Sequence, residues 1–494
     1  NDLEPGIVIQ QILHDLKTTT PVVKDGLDSS LLLCVDELVR SKNPNEICSA
    51  VGSLAELHKL FALTTTLDKM RLGKETSESG KLIYWIAMPL LSTRASLSLF
   101  TPDSILPDLQ TDKQLLAVLA TPAFRSLVVD GGGHARTRQF LLRAAEAVKA
   151  TPELHTRKSL YAKWKELSKE SYTHLSVSMP LLRTILLGKR IEPNDLVDSA
   201  KPDLGTYSDL IRNGTLTNTD MDNFVPHVPP LRLRAWAEKE LNNDDLQIKA
   251  IASALFYMTD AEDTWSWKDM EVFHTNWERL VTALHQGEIL TLSQLYKDAR
   301  FSAHLPYNTP VSIPSLLDYH QEKLFPQSDT LPTDFLSNTA LHIGGNQAGF
   351  DLVISRPSSG ALISFLVEVR YSEPGTKTTM GKVEFLDKLK LAKSEIEKHK
   401  EFFAQQGVTD HIYVIIACRR VARTVVAALT TLKSDKVIVL SRDALLALYG
   451  PSLCCRPQFL LDEAIKDTLK EAKCAQVEAA LEDADAHGGY DGDE

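Results

Sequence analysis

The apolar positions fall into two kinds of pattern. Between residues 1 and 150, short apolar runs alternate with stretches of helical period. "SLLLCVDELV" (Ser30 to Val39), "FALTTTL" (Phe61 to Leu67) and "KLIYWIAM" (Lys81 to Met88) are too short for buried helices and predict buried strands, with a helical pattern through "SAVGSLAELHKL" between the first two. Apolar strands alternating with helices predict a parallel sheet covered on both faces. From residue 112 to 200 the period is helical throughout, and "TPELHTRKSLYAKWKELSKESYTHL" predicts a helix with Thr151 as N-cap and Pro152 at its first position.

The tract from Lys201 to Pro230 is rich in Pro, Asn, Gly and Asp and ends in the rigid "FVPHVPPL". Within it "TYSDLIRNGTLT" predicts a helix, a turn and a strand, as in a small winged helix. A long helical pattern begins at Trp265. Then "GFDLVIS" and "ALISFLVEVR" predict two strands, with turn chemistry in "RPSSG" (Arg356 to Gly360) pairing them as a hairpin. A charged helix from Lys382 to Gln406, the strand "HIYVIIACRR", a helix around Ala422 to Leu432 and the strand "KVIVLS" complete the series. No internal repeat is visible.

Composition sets bounds on this picture. The chain has 494 residues, 43% of them hydrophobic and 24% charged, which predicts several globular domains. No apolar run reaches the ~18 residues of a membrane span, so no membrane partner is expected. Cys34, Cys48, Cys418, Cys454, Cys455 and Cys474 fit no zinc spacing, and adjacent Cys454 and Cys455 make a poor disulfide framework, so reduced thiols inside a cell are expected. The net charge of −11 argues against a generally basic nucleic-acid coat. The charge is uneven, however. "LEDADAHGGYDGDE" holds six acids and no Lys or Arg, the pattern of a disordered tail, while residues 382 to 436 hold eleven Lys or Arg against seven Asp or Glu and can face an anion.

Two constellations carry chemistry. In the predicted hairpin, alternation puts Glu368 and Arg370 on one face of a strand, and Asp351 at the head of the preceding strand can approach Glu368. Two carboxylates meeting at a sheet edge repel unless a cation neutralises them. Mg2+, a hard ion that prefers oxygen ligands, suits them and can activate water for phosphoryl chemistry. The plain structural alternative is an exposed Glu368–Arg370 ion pair, with the following Lys388, Lys390 and Lys393 forming a solvated helix face. In the N-terminal region "LLLCVDE" has the form of a Walker B strand, in which Asp36 would hold Mg2+ through water and Glu37 would polarise the attacking water. Thr65 in "TTTLD" and Arg136 in "DGGGHARTRQF" stand where such ATPases sense and reach phosphate. The plain alternatives of a capping acid, a Thr-rich turn and a glycine-led helix start apply to each motif singly. No G-x-x-x-x-G-K-[ST] phosphate loop occurs in the 494 residues, so ATP binding would need a loop upstream of Asn1.

The pairing G-x-D and E-x-K, followed by helix, strand, helix and strand, resembles the PD-(D/E)xK restriction-endonuclease-like nucleases, with Arg370 where the motif has Lys. The collinear run "LLLCVDE", "ALTTTLD", "VVDGGGHAR", "YSDLIRNGTLT", "FVPHVPPLRL", "WKDMEVF" and "GFDLVI…FLVEVR" resembles the Crinkler and retrotransposon-hot-spot (RHS) group over nearly the whole chain. That resemblance implies an α/β multidomain protein with an AAA/STAND-type ATPase-like core at 1–111, a helical lid and bundle at 112–200, and a winged-helix-like connector at 201–262. A nuclease-like domain at 263–472 and an acidic tail at 473–494 follow. It implies Asp36, Thr65 and Arg136 at nucleotide, with Glu37 catalytic. In the nuclease it implies Asp351, Glu368 and Arg370 as catalytic residues and Asp351, Glu368 and Glu271 as metal ligands. Mg2+ and ATP are the implied cofactors, DNA and nuclear proteins the implied partners, and the nucleus, with the cytoplasm besides, the implied location. Arg370 cannot lose a proton near neutral pH, so the competing expectation is a scaffold, built from degenerate enzyme folds, that binds chromatin or RNA machinery without catalysis.

Overall fold

A computed structural model describes residues 32–35, 61–64, 97, 100, 112–169, 178–192, 194–212, 215–218, 224–259, 267–314, 327–328, 340–343, 349–370, 379–432 and 434–454. The chain divides into two compact units, one of residues 1–89 and 191–224 and the other of 90–190 and 225–494.

In the first unit, β1 (Leu32–Val35) and β2 (Phe61–Thr64) pair in parallel, with Leu32 opposite Phe61 and Val35 opposite Thr64. Their shared direction agrees with the parallel sheet expected from the apolar runs. The helix Tyr207–Arg212 starts in a reciprocal cap: the Thr206 N–H donates to Asp209 Oδ2 at 2.9 Å, and the Asp209 N–H to Thr206 Oγ1 at 3.2 Å. A strand at Thr217–Asn218 follows, so the helix and strand of "TYSDLIRNGTLT" stand where the pattern put them.

The second unit is mixed α/β. Its helical part contains α1 (Lys113–Leu119), α2 (Pro122–Asp130), α3 (Ala135–Val148), α4 (Arg157–Ser168) and α5 (Met179–Leu186). α6 (Pro230–Glu240) and α7 (Leu246–Thr259) follow. Asp112, Thr121, Thr156 and Ser178 each accept an N–H two or three residues into their helix, which satisfies a donor the helix start would otherwise orphan. Leu115, Phe124, Leu127, Leu141, Leu160, Trp164 and Leu231 form a common core, each side chain contributing about 1.5–3 kcal/mol by leaving water. The cap expected at Thr151 sits elsewhere. Pro152–Leu154 is a single 3-10 turn, Thr151 makes no side-chain cap bond, and α4 begins after Thr156.

A mixed sheet of seven strands forms the rest among the described residues: β3 (Arg300–Phe301), β4 (Gln327–Ser328), β5 (Ala340–Ile343), β6 (Leu352–Ser358), β7 (Ala361–Arg370), β8 (Val408–Ala417) and β9 (Val437–Leu440), in the order β3-β9-β8-β7-β6-β5-β4. β5, β6 and β7 run antiparallel in succession, and β7, β8 and β9 run parallel. α8 (Trp267–Leu284) precedes the sheet strands. α9 (Lys382–Lys398) and α10 (Lys400–Gln405) cross from β7 to β8, α11 (Arg423–Thr431) from β8 to β9, and α12 (Leu445–Leu453) follows. The helix expected from Lys382 to Gln406 is therefore two, broken at His399.

The hairpin turn is shorter than "RPSSG" predicts. β6 continues to Ser358, and only Ser359 (φ 48) and Gly360 (φ 84) make the turn, the two positive dihedrals a right-twisted two-residue hairpin requires. Val353, Leu366, Tyr413 and Ile415 pack under Phe385, Leu389, Val425 and Leu429 of α9 and α11. Strand alternation extended from Val353 and Leu366 places Asp351, Glu368 and Arg370 on that same face. The opposite face meets α8, where Arg356 of β6, 1% exposed, donates from Nη2 to Glu278 Oε2 at 2.6 Å and stacks over Phe365, its Cζ lying 5.6 Å from the ring centroid.

Candidate active site

The site forms at the carboxyl end of β7, beside the amino end of β6 and at the opposite end of the hairpin from its Ser359–Gly360 turn. Gly349 and Phe350 lead into it. Phe350 is buried in the core, and Gly349 takes φ 71 against α9, where an added Cβ would lie 2.8 Å from Leu391 Cβ and 2.9 Å from the Ala392 nitrogen. Glycine therefore lets the chain before Asp351 touch the helix that follows β7. The Tyr413 hydroxyl donates to the Gly349 carbonyl at 2.8 Å from below. The Asp351 N–H donates to the Val367 carbonyl at 2.7 Å, and Asp351 Oδ2 accepts the Val369 N–H at 2.7 Å. Asp351 is thus bonded to both residues that flank Glu368.

Glu368 is 2% exposed, and two cations meet it. Lys388 Nζ lies 2.7 Å and Arg370 Nη1 3.2 Å from Glu368 Oε1. Arg370 also donates from Nη2 to Glu384 Oε1 at 2.9 Å, and the buried Arg419 donates to the same oxygen. Glu384 and Lys388 are one turn apart on α9, so one helix face supplies both partners. The result is a chain of alternating charge, Lys388–Glu368–Arg370–Glu384–Arg419, in which Glu368 and Arg419 are buried and the other three half-buried.

Asp351 has no such partner and titrates accordingly. Burial, then the Glu368 carboxylate, then that of Glu271 hold its carboxyl well above the usual range, against the opposing pull of the Val369 N–H and Lys388. Burial pulls the Arg370 guanidinium down, but Glu368 and Glu384 outweigh it and its proton is held more tightly than usual. Burial and the same two acids, Glu368 and Asp351, push the Tyr413 hydroxyl well up, so it remains a neutral donor.

The sequence-predicted residues therefore divide. Asp351, Glu368 and Arg370 come together. Glu271, 7% exposed, reaches Asp351 through its field but is carried by α8 on the opposite face of the sheet. Among the described residues no group of three His, Cys, Asp or Glu side chains stands at metal-holding spacing. Asp36, Glu37 and Thr65 lie outside the described residues, immediately after the paired ends Val35 and Thr64 of β1 and β2. Arg136 is the second residue of α3, and its side chain is outside the described set.

Lys388 is the residue whose partner the sequence does not show: there it is one of three lysines on a basic helix that faces either an anion or solvent. It lies between Phe385 and the buried Leu389 and Ala392 of α9, so a lysine inside an apolar stripe was the available signal. Lys393 instead pairs with Asp435 at 2.7 Å, and Lys390 is exposed.

Comparison of the chain with protein-family models, with curated proteins and with solved structures gives no match. Among the described residues no helix is long and apolar enough to cross a membrane.

Proposed function

We propose that the second unit is a metal-dependent phosphodiesterase of the PD-(D/E)xK type acting on DNA, in a nuclear protein of the Crinkler and RHS kind. The ammonium of Lys388 at 2.7 Å from Glu368 carries this reading. It supplies, from the next helix, the mobile-proton cation that Arg370 cannot be. The antiparallel hairpin, the crossover through α9 to parallel β8, and the preceding α8 support the nuclease-like architecture.

The residues present suit a divalent ion held by two carboxylates. Burial and then the Glu368 and Glu271 carboxylates hold the Asp351 carboxyl above its usual range; a cation held by Asp351 and Glu368 would offset this, and Mg2+ commonly takes one or two protein carboxylates and fills its remaining positions with water and phosphate oxygens. Such an ion would supply an activated water and offset charge on the phosphoryl group. Lys388 faces the same carboxylate and stabilises charge that grows on a phosphate oxygen. Arg370 ties Glu368 to Glu384 and so fixes the distance between β7 and α9. Asp36 and Thr65 would serve nucleotide in the first unit, where the parallel pairing of β1 and β2 supports an ATPase-like core; Arg136 belongs to the second unit.

A non-catalytic scaffold is the second reading, favoured by one observation: Glu368 already has two cationic partners. A plasmid-nicking assay with Mg2+ or Mn2+ separates the two. Asp351→Ala and Glu368→Ala are expected to lower the rate at least ~100-fold, and Lys388→Gln about 100-fold, with Lys388→Arg no better if proton mobility matters. Nicking that is equal in wild type and Asp351→Ala, or absent from the wild type, would leave the scaffold.

A further inference from the structure

Arg157, Arg234, Arg356 and Arg419 are buried, and each meets a carboxylate, of Asp130, Glu238, Glu278 and Glu384 in turn. Arg138, near the start of α3, is buried too, at 8% exposed, and meets none among the described residues. Its Nη2 donates to the Gly133 carbonyl at 3.3 Å, which anchors the guanidinium at the turn entering the helix. Nε and Nη1 are covered and have no hydrogen-bond partner among the described residues. Burial pulls the pKa of this guanidinium down, and no carboxylate of the described residues acts against it. A buried cation with no acid beside it opposes folding until an anion completes it.

The position of Arg138 adds to its charge. α3 has 14 residues, and its first turn holds no acid. The cap is the His134 imidazole, whose Nδ1 accepts the Thr137 N–H at 3.3 Å, so a ring nitrogen stands where a carboxylate commonly caps. The glycine turn has already committed its amides: the Gly131 and Gly132 N–H groups donate to carbonyls of α2, and the His134 N–H donates to the Gly131 carbonyl. The donors at this end are therefore the Arg138 side chain and the leading amides of α3, which no carbonyl within the helix can reach. Asp130, the acid beside the turn in sequence, is held by Arg157. Gly132 and His134 are half-buried, so solvent comes within a few residues of the guanidinium.

We propose that Arg138 and the start of α3 bind a phosphoryl group, supplied either by inorganic phosphate or by the phosphate tail of a nucleotide. Arginine holds phosphate oxygens through charge-assisted hydrogen bonds. A helix start adds N–H donors and a partial positive charge. These atoms all belong to the second unit, so the assignment holds whether or not the first unit takes nucleotide.

The test is calorimetry and differential scanning fluorimetry of the full chain at pH 7.5 in EDTA. The probes are sodium phosphate, ADP, and sodium chloride at matched ionic strength. Phosphate or ADP at about five times its Kd is expected to raise the wild-type Tm by about 2 °C, and chloride is not. Arg138→Met removes the charge and is expected to weaken phosphate binding at least ~10-fold. Its Tm without ligand is expected to equal or exceed the wild type's, because the buried charge is gone; an arginine with a merely structural role would give a lower one. If Arg138→Met misfolds, Arg138→Lys keeps the charge, loses the planar fork, and is expected to weaken binding about 5-fold. Lys158→Gln, exposed on α4, is the control and keeps the wild-type affinity. Absence of phosphate and ADP binding by the wild type, equal affinity in the Arg138 variants, or the same Tm rise with chloride would overturn the site. ADP bound more tightly than phosphate, with both weakened in Arg138→Met, makes a nucleotide the source; ADP bound no more tightly makes it free phosphate. ADP binding that survives Arg138→Met, with no phosphate binding in the wild type, removes this site and keeps the ATPase-like reading of the first unit.

Discussion

The carboxyl of Asp351 accepts the Val369 N–H while the Glu368 and Glu271 carboxylates crowd it, so its ionisation opposes folding. Its folded pKa stands above the unfolded value near 3.8. The favourable contribution is complete below that value, with the proton bound, and disappears as pH rises through the folded pKa. Asp351→Asn keeps an oxygen for Val369 and removes the charge. We expect its Tm to exceed the wild type's by about 2–4 °C at pH 8, the scale of 1 kcal/mol in a domain of this size, with the gap closing toward pH 4. Differential scanning fluorimetry across that range checks it, and a gap that is absent or reversed would refute the crowding. The sequence displayed this carboxylate and Glu368 through strand alternation alone. It did not display Lys388, because contact between a helix and a strand 20 residues apart depends on how the crossover packs.

At the scale of elements, the same helix that brings Glu271 toward the site is fastened to the sheet by a buried polar cluster. Glu278 meets Arg356 at 2.6 Å and His274 at 3.5 Å, and His274 Nδ1 lies 3.1 Å from the Tyr449 hydroxyl. The turn-like letters of "RPSSG" concealed this, because Arg and Pro in such a string indicate an exposed loop unless a buried acid lies opposite. Removing one member leaves an uncompensated buried charge. Arg356→Met or Glu278→Gln is expected to cost about 3–5 kcal/mol in urea unfolding, and Arg356→Met/Glu278→Leu to recover most of it. Single variants that cost under about 1 kcal/mol would mean that water already reaches the pair. Elsewhere the periods were sufficient: β9 and α11 fall within a residue of the patterns that predicted them, and β8 begins and ends three residues before "HIYVIIACRR". Caps and helix breaks were less legible, since Thr151 and Thr156 offer the same hydroxyl and only packing chooses between them.

For the whole molecule, acid is the condition that strains the fold. Burial holds His274 down at about 4 despite Glu278, and burial with the neighbouring His134 holds His227 at about 3. Both fold as neutral rings, so their contribution is present above the unfolded value of 6.5 and is lost as pH falls below it. Tm is expected to be level from pH 7 to 8 and to drop between pH 6.5 and 4.5, with a shallower drop in His227→Gln. Equal slopes would place the acid sensitivity in other groups.

α9 meets β7 through residues one turn apart, Glu384 and Lys388, while Phe385 and Leu389 are locked in the core. An α-helix advances about 100° per residue. A single residue inserted between Gly381 and Glu384 can be absorbed only by fraying the first turn, whereas one inserted between Glu384 and Lys388 rotates the ammonium a quarter-circle from its carboxylate. Length variation in this protein is therefore tolerable at Ser359–Gly360 and forbidden across that one turn, which acts as the ruler that sets where the charge is delivered.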